Sequence, residues 1–302
     1  MTGTTIARPR ATAVPNRRRV RPRRVLLYGF LTFMAATWLF PLVWAFYTAL
    51  RPYADTQRDG YVSLPTSLSI DNFVNAWNQA NIPQGYLNTA IVAVPGVIVT
   101  LLVASMVSFS VSRFSWRFNL LVLMLFTAGN LLPQQVIIVP LYRLYLLLPV
   151  PPPLSDNGLL YNQFLGIILI HIVFQTGFCV FVLSNYMKTL PQELTEAALV
   201  DGASVLRIWR SVIMPLCRPA LAALAILEFT FIYNDFFWAL MLMSSGDRRP
   251  ITASLQNLQG QFFIDANKLG AGALLAAIPT ILVFLALQRH FVSGLTLGST
   301  KG

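Results

Sequence analysis

Six stretches of the chain are apolar all round rather than along one helical stripe. Residues 25–50, 87–112, 118–142 and 159–186 contain no Asp, Glu, Lys or Arg. Residues 219–245 carry only Glu228 and Asp235, and residues 269–288 carry no charge. A bilayer core about 30 Å thick is crossed by roughly 20 helical residues, so each stretch is long enough to span it. Strands of a membrane barrel would be about ten residues long and would alternate apolar with polar positions. The pattern therefore predicts an all-α membrane protein with six transmembrane helices, at about 25–50, 87–112, 118–142, 159–186, 219–245 and 269–288. Pro41, Pro95, Pro133, Pro140 and Pro279 fall inside them. Such prolines are tolerated where neighbouring helices satisfy the freed carbonyls.

Composition supports this reading. The chain is 56% hydrophobic and 11% charged, against about 25% charged residues in soluble proteins. Its net charge of +11 does not indicate a nucleic-acid partner, because eight of the 22 basic residues are arginines within residues 1–24. With the N-terminus inside, 16 Lys and Arg lie in the pieces expected to be cytoplasmic and 6 in the outer ones. That bias places both termini in the cytoplasm. The first apolar run is much longer than the 7–15 residues of a signal-peptide core, so it is expected to stay as an uncleaved helix. Residues 1–24 then form a basic, disordered cytoplasmic tail that attracts anionic lipid headgroups. Residues 51–86 form an extracytoplasmic loop, and residues 290–302 a cytoplasmic tail. Cys179 and Cys217 provide neither metal-ligand spacing nor a disulfide framework.

The longest inner loop, residues 188–218, carries the most local information. Pro191 suits the first turn of a helix, and Gln192, Glu193 and Glu196 bring polar or acidic groups to its positive end. Leu194, Ala197 and Ala198 share a face. Gly202 can end the helix in the left-handed conformation, and Ser204 can cap a second helix through Leu206, Trp209 and Ile213. Two readings fit this helix–turn–helix. It is an interfacial amphipathic linker, or its alanine pair lets another backbone approach closely.

Glu196-Ala197-Ala198, Gly202, Val212, Met214 and Pro215 match the pattern EAA-x3-G-x9-I-x-L-P, with Val for Ile and Met for Leu. That segment resembles the inner-membrane permease subunits of bacterial ATP-binding-cassette importers. Residues 233–238 (YNDFFW) and 288–302 (QRHFVSGLTLGSTKG) resemble segments of the maltose-type carbohydrate permeases. The resemblance covers nearly all of the chain after residue 24. It implies a type I importer fold, with residues 87–289 as the permease core and a cytoplasmic coupling helix. Glu196, Ala197, Ala198, Asp201 and Gly202 would then couple to an ATPase, which the tail at Leu295, Lys301 and Gly302 would also touch. The implied partners are a second homologous permease, two cytoplasmic ATP-binding subunits, an extracellular or periplasmic sugar-binding protein, and lipid of a bacterial inner membrane. No GxxxxGK[ST] phosphate-binding loop occurs in the chain. ATP and Mg are therefore expected on the partner ATPase, with no cofactor and no catalytic residue here. The alternatives are an ABC permease for a non-sugar solute and a secondary transporter. The latter predicts internal repeat symmetry and a midplane ion site, neither of which the sequence displays.

Polar residues inside the spans are functional candidates by default. Asn130 and Gln134 flank Pro133 with Gln135, and either bind sugar hydroxyls along the translocation pathway or join helices. Asn234 and Asp235 are pathway candidates in the fifth span. Glu228 and Asp235, seven residues apart on one expected helix face, form a cavity wall or an interhelical bridge. His171 has no second ligand at suitable spacing and reads as a buried neutral histidine, and the two cysteines read as small core residues.

Overall fold

A computed structural model describes residues 22–129, 133–260 and 264–296, with Pro22 and residues 289–296 described by their backbone alone. Among the described residues the chain is helical, with two isolated bridges, Pro149 to Leu159 and Gln259 to Ile264, and no strands. The first compact unit ends at Ala45 and contains most of α1 (Pro22–Ala49), an apolar helix that passes through Pro41. The second unit begins at Phe46. It contains α2 (Tyr53–Asp59), α3 (Asp71–Gln79), α4 (Ile82–Arg113), α5 (Asn119–Gly129), α6 (Gln134–Leu147) and α7 (Phe164–Thr189). The chain continues through α8 (Glu193–Val200), α9 (Val205–Ile208), a π-helical turn (Trp209–Ile213) and α10 (Met214–Leu216). It ends with α11 (Arg218–Tyr233), α12 (Phe237–Leu242), α13 (Ile251–Ser254) and α14 (Ala266–Thr296).

Among the described residues four helical stretches are each long and apolar enough to cross a membrane: Arg23–Ala49, Ile82–Arg113, Phe164–Lys188 and Ala266–Gln288. The number rises to six if each of two bent helix pairs is one span, Asn119–Gly129 with Gln134–Leu147 and Val205–Leu216 with Arg218–Tyr233, the latter bent by 79°. The centre of the second unit is the packing of α4 on α7. Small residues make it possible: Ala93, Thr100, Ala104 and Ser108 lie buried on α4, and Gly177 and Ser184 on α7, while Gly96 of α4 faces Ile232 of α11. In lipid, close backbone approach and interhelical hydrogen bonds replace the hydrophobic drive. Ser108 supplies one such bond, its hydroxyl donating to the Val180 carbonyl at 3.1 Å.

Several helix ends differ from the sequence pattern. Helix α4 starts at Ile82, five residues earlier than expected, and α7 starts at Phe164 because residues 159–163 fold back on the preceding loop. The third expected span, 118–142, is two helices, α5 and α6. The fifth, 219–245, is broken at residues 234–236, between α11 and α12. Asn234 and Asp235 account for that break, since such side chains compete for backbone partners. The Asn234 amide donates to the Thr230 carbonyl at 2.8 Å, and the Asp235 carboxylate accepts from the Trp238 and Ala239 amides at 3.3 and 3.1 Å. Glu228 and Asp235 therefore do not share one helix face. Helix α14 runs eight residues beyond the expected end at 288.

The two ends of the bundle are built differently. At one end, Asn88 donates to the Asp247 and Arg249 carbonyls at 2.7 and 3.0 Å, tying α4 to the loop before α13. Fully buried Arg51 organises the same end. Its guanidinium donates to the Gly60, Tyr61 and Asp55 carbonyls at 2.7, 3.4 and 2.9 Å and to the Ser63 hydroxyl. Its own carbonyl accepts from Asn72 and Asn267, each at 2.8 Å. The opposite end carries α8 to α10.

Candidate functional site

Helix α7 ends at Thr189, and Leu190 is extended with φ −78° and ψ 144°. Pro191 and Gln192 lead into α8, whose first turn contains Glu193 and Glu196 at the positive end of its dipole. The end of α8 is a Schellman motif. The Gly202 amide donates to the Leu199 carbonyl at 3.0 Å and the Ala203 amide to the Ala198 carbonyl at 2.9 Å. Gly202 itself has φ +78°, a conformation that a side chain disfavours and glycine adopts freely. Beyond its two chain neighbours, a Cβ added there would meet no described atom within 4 Å, so glycine is required by the backbone and not by crowding. Ser204 caps α9, its hydroxyl accepting from the Arg207 amide at 3.4 Å. The helix–turn–helix read from the sequence is thus present, except that its second helix passes into a π turn at Trp209.

This element has two unlike faces. Ile208, Trp209, Ile213 and Cys217 are buried with Phe109 of α4 and Met187 of α7. Ala198 and Ala203 pack against that cluster, so of the alanine pair only Ala197 faces outward. The other face presents Glu196, Ala197, Leu199, Val200, Asp201 and Gly202, followed by Val205 and Leu206. Val200 is 88% exposed and Leu206 63%. These apolar side chains lie beside the charged Glu196 and Asp201.

Arg113, one residue beyond the expected end of the second span, is buried at the root of this element. Its guanidinium donates to the carbonyls of Met187, Leu190 and Pro191 and to the Gln192 side chain. A basic residue in the last turn of a span was the available signal, but its partners lie 74 to 79 residues away.

The intramembrane candidates are dispersed. Asn130 lies outside the described residues. Gln134 is the first residue of α6 and is half-buried, and Asn234 is exposed beyond the end of α11. Asp235 combines its capping role with a 3.6 Å approach to Nε2 of His171, so that buried histidine has a carboxylate neighbour that spacing alone did not reveal. Glu228 is fully buried, and the Cys179 thiol donates to its Oε1 at 3.2 Å. Cys179 is therefore a hydrogen-bond donor as well as a core residue. At the C-terminal tail, Leu295 belongs to α14 by its backbone, while Lys301 and Gly302 lie outside the described residues. Among the described residues no three His, Cys, Asp or Glu side chains cluster as a metal site.

Comparison with known proteins agrees with this architecture. Residues 96–296 match the family described as binding-protein-dependent transport system inner membrane component. The chain is 30% identical to the osmoprotective compounds uptake permease protein GgtD of Synechocystis, covering 89% of each chain. It is 28% identical to the melibiose/raffinose/stachyose import permease protein MelC of Bacillus subtilis, over 79% of this chain and 83% of that one. It is 32% identical to the alpha-glucoside transport system permease protein AglG of Rhizobium meliloti, over 79% and 62%. Its fold is similar to that of a bacterial ABC transporter involved in the import of alginate. The TM-score is 0.73 at 21% identity, covering 90% of this chain and 99% of that one. With helices that span the membrane and a family match over most of its length, this chain belongs to the inner-membrane permease components of binding-protein-dependent transport systems.

Proposed function

We propose that the chain is one of two permease subunits in an ATP-driven importer of a sugar or oligosaccharide. Both termini and the α8–α9 element lie in the cytoplasm, consistent with the bias of basic residues. Two cytoplasmic subunits bind ATP and Mg and hydrolyse the ATP, and a second permease completes the pathway. A binding protein outside the membrane delivers the solute. The observation that carries this reading is the exposed apolar turn around Leu199, Val200 and Leu206, rooted on the ends of α4 and α7. Glu196, Ala197, Asp201 and Gly202 form its outward rim, and Ala198 holds it from within. Closure of the ATPases displaces this element as a rigid body, and the bundle exchanges between inward- and outward-open packings. Leu295, Lys301 and Gly302 extend the ATPase contact along the tail, and Asn130, Gln134, Asn234 and Asp235 line the pathway.

A second reading, a permease for a small osmolyte, is favoured by the GgtD likeness alone. Screening the cognate binding protein against sugars and osmolytes separates the two. The solute it retains should then enter proteoliposomes only when both permeases, the ATPase and internal ATP are present. Uptake that persists without the ATPase refutes the proposal.

A further inference from the structure

We infer that Arg113 is a positioning residue that makes α4 and α8 move as one body, so that a displacement of the loop reaches the opposite face of the membrane. The inference rests on the coupling role proposed for α8 and concerns how that role is transmitted.

The joint between α7 and α8 is the weak point of a rigid-body mechanism. Leu190 is extended, and Pro191 has no amide to donate, so no helix runs through the joint. Left alone, such a linker would absorb a push on α8 as a change in its own dihedral angles. Arg113, the last residue of α4, spans it instead. One guanidinium nitrogen donates at 2.6 Å to the carbonyl of Met187, in the last turn of α7. The other reaches the linker carbonyls of Leu190 and Pro191 at 3.1 and 3.3 Å and Oε1 of Gln192, the α8 N-cap, at 3.1 Å. Gln192 answers by donating to the Arg113 carbonyl at 3.2 Å.

These contacts come from a 5% exposed side chain. A planar guanidinium presents its donors in a fixed fork, so it holds several acceptors in one geometry where an ammonium would act as a point charge. Charge-assisted hydrogen bonds of this kind are also stronger than neutral ones. The negative end of the α7 dipole adds to the attraction. Ser112 and Phe109 extend the contact to Met187, through a 3.7 Å hydroxyl–sulfur approach and through the shared core cluster.

Helix α4 is suited to carry the motion further. Its 32 residues, Pro95 among them, form one helix to the other end of the bundle, a length of about 48 Å. There Asn88 holds the Asp247 and Arg249 carbonyls, and the Thr89 hydroxyl accepts from the Ile251 amide at 2.8 Å. A polar clasp thus sits at each end of one continuous helix. Arg113 connects it to the α7–α8 joint, and Asn88 and Thr89 connect it to the loop at the opposite face.

The test uses the assembled importer with nitroxide labels at Glu193→Cys on α8 and Ser110→Cys on α4, both exposed positions outside the face assigned to the ATPase. Buried Cys179 and Cys217 stay in place. The distance between the labels is measured without nucleotide and after trapping with MgATP and vanadate. With native Arg113 the two states should give the same distance. In Arg113→Gln the distance should shift by several ångström on trapping, and ATP hydrolysis should continue without the matching outward-face movement. A large shift with native Arg113, or none in Arg113→Gln, overturns the inference. If Arg113→Gln does not assemble, Arg113→Lys and the exposed-site change Gln192→Ala decide the question, with smaller shifts expected and no shift overturning it. Co-purification of the ATPase keeps the underlying reading separate. Undiminished co-purification with Val200→Asp refutes docking of α8 itself, whereas a constant label distance in Arg113→Gln, with Val200→Asp abolishing co-purification, refutes only the role of Arg113.

Discussion

Substitution of Gly202 separates two roles that the structure superimposes. With φ +78°, the residue completes the Schellman turn, so any side chain bears a conformational penalty. For alanine the left-handed region costs about 1–2 kcal/mol, whereas asparagine and aspartate adopt it more readily. Since 1.4 kcal/mol is a factor of ten in an equilibrium constant, Gly202→Ala should shift the equilibrium against the intact turn by about 5- to 30-fold. Beyond its two chain neighbours, no described atom lies within 4 Å of the added Cβ, so crowding inside the subunit contributes nothing. The two roles therefore rank the variants oppositely. If Gly202 serves the turn alone, alanine is the most harmful of the three and asparagine and aspartate are mild. If the bare backbone is a contact surface for the ATPase, bulk and charge dominate, and activity falls in the order alanine, asparagine, aspartate. We expect the second order, with Gly202→Asp inserted and assembled but unable to link hydrolysis to uptake. The assay is solute uptake and ATP hydrolysis per assembled complex in proteoliposomes. Near-native uptake by the asparagine and aspartate variants beside a defective alanine variant would refute the contact.

Other consequences are independent of that residue. Glu196→Lys reverses a charge in the first turn of α8, and should lower uptake per ATP hydrolysed while complex yield stays near native. Single cysteines within 51–86 or 246–268 should react with an impermeant reagent in sealed cells, and cysteines within 187–218 should not; the opposite pattern inverts the topology. Arg51→Leu removes the donors of four hydrogen bonds that fold residues 55–63 onto the end of α1, each worth about 1 kcal/mol. Its yield of folded subunit in detergent should fall sharply, and native yield would show that the clasp is dispensable. Deletion of residues 295–302 should weaken association with the ATPase, measured by co-purification, and unchanged association and hydrolysis would free the tail of that role.

The spans were legible because lipid demands apolarity on every face of a helix, whereas a helix with one side in water carries charges at intervals far shorter than these runs. Their interruptions were less so. Asn234 and Asp235 could have faced a neighbouring helix or turned back on their own backbone, and both choices leave the same letters in the same apolar run. Elements α8 and α9 were legible for the opposite reason. A Schellman glycine and a serine cap act within a few residues, so Gly202 and Ser204 carry their geometry in the local sequence. What remained hidden joins distant segments: Arg113 with Met187, Cys179 with Glu228, His171 with Asp235. None of these pairs shares a spacing rule, because each depends on how α4, α7 and the α11–α12 break pack together. This division bears on function. The outward surface of α8 and α9 can be recognised from its own residues, but its connection to the bundle depends on a side chain contributed by α4. A segment grafted with Glu196, Ala197 and Gly202 intact, but without an arginine facing its root, should therefore fold and dock yet transmit poorly.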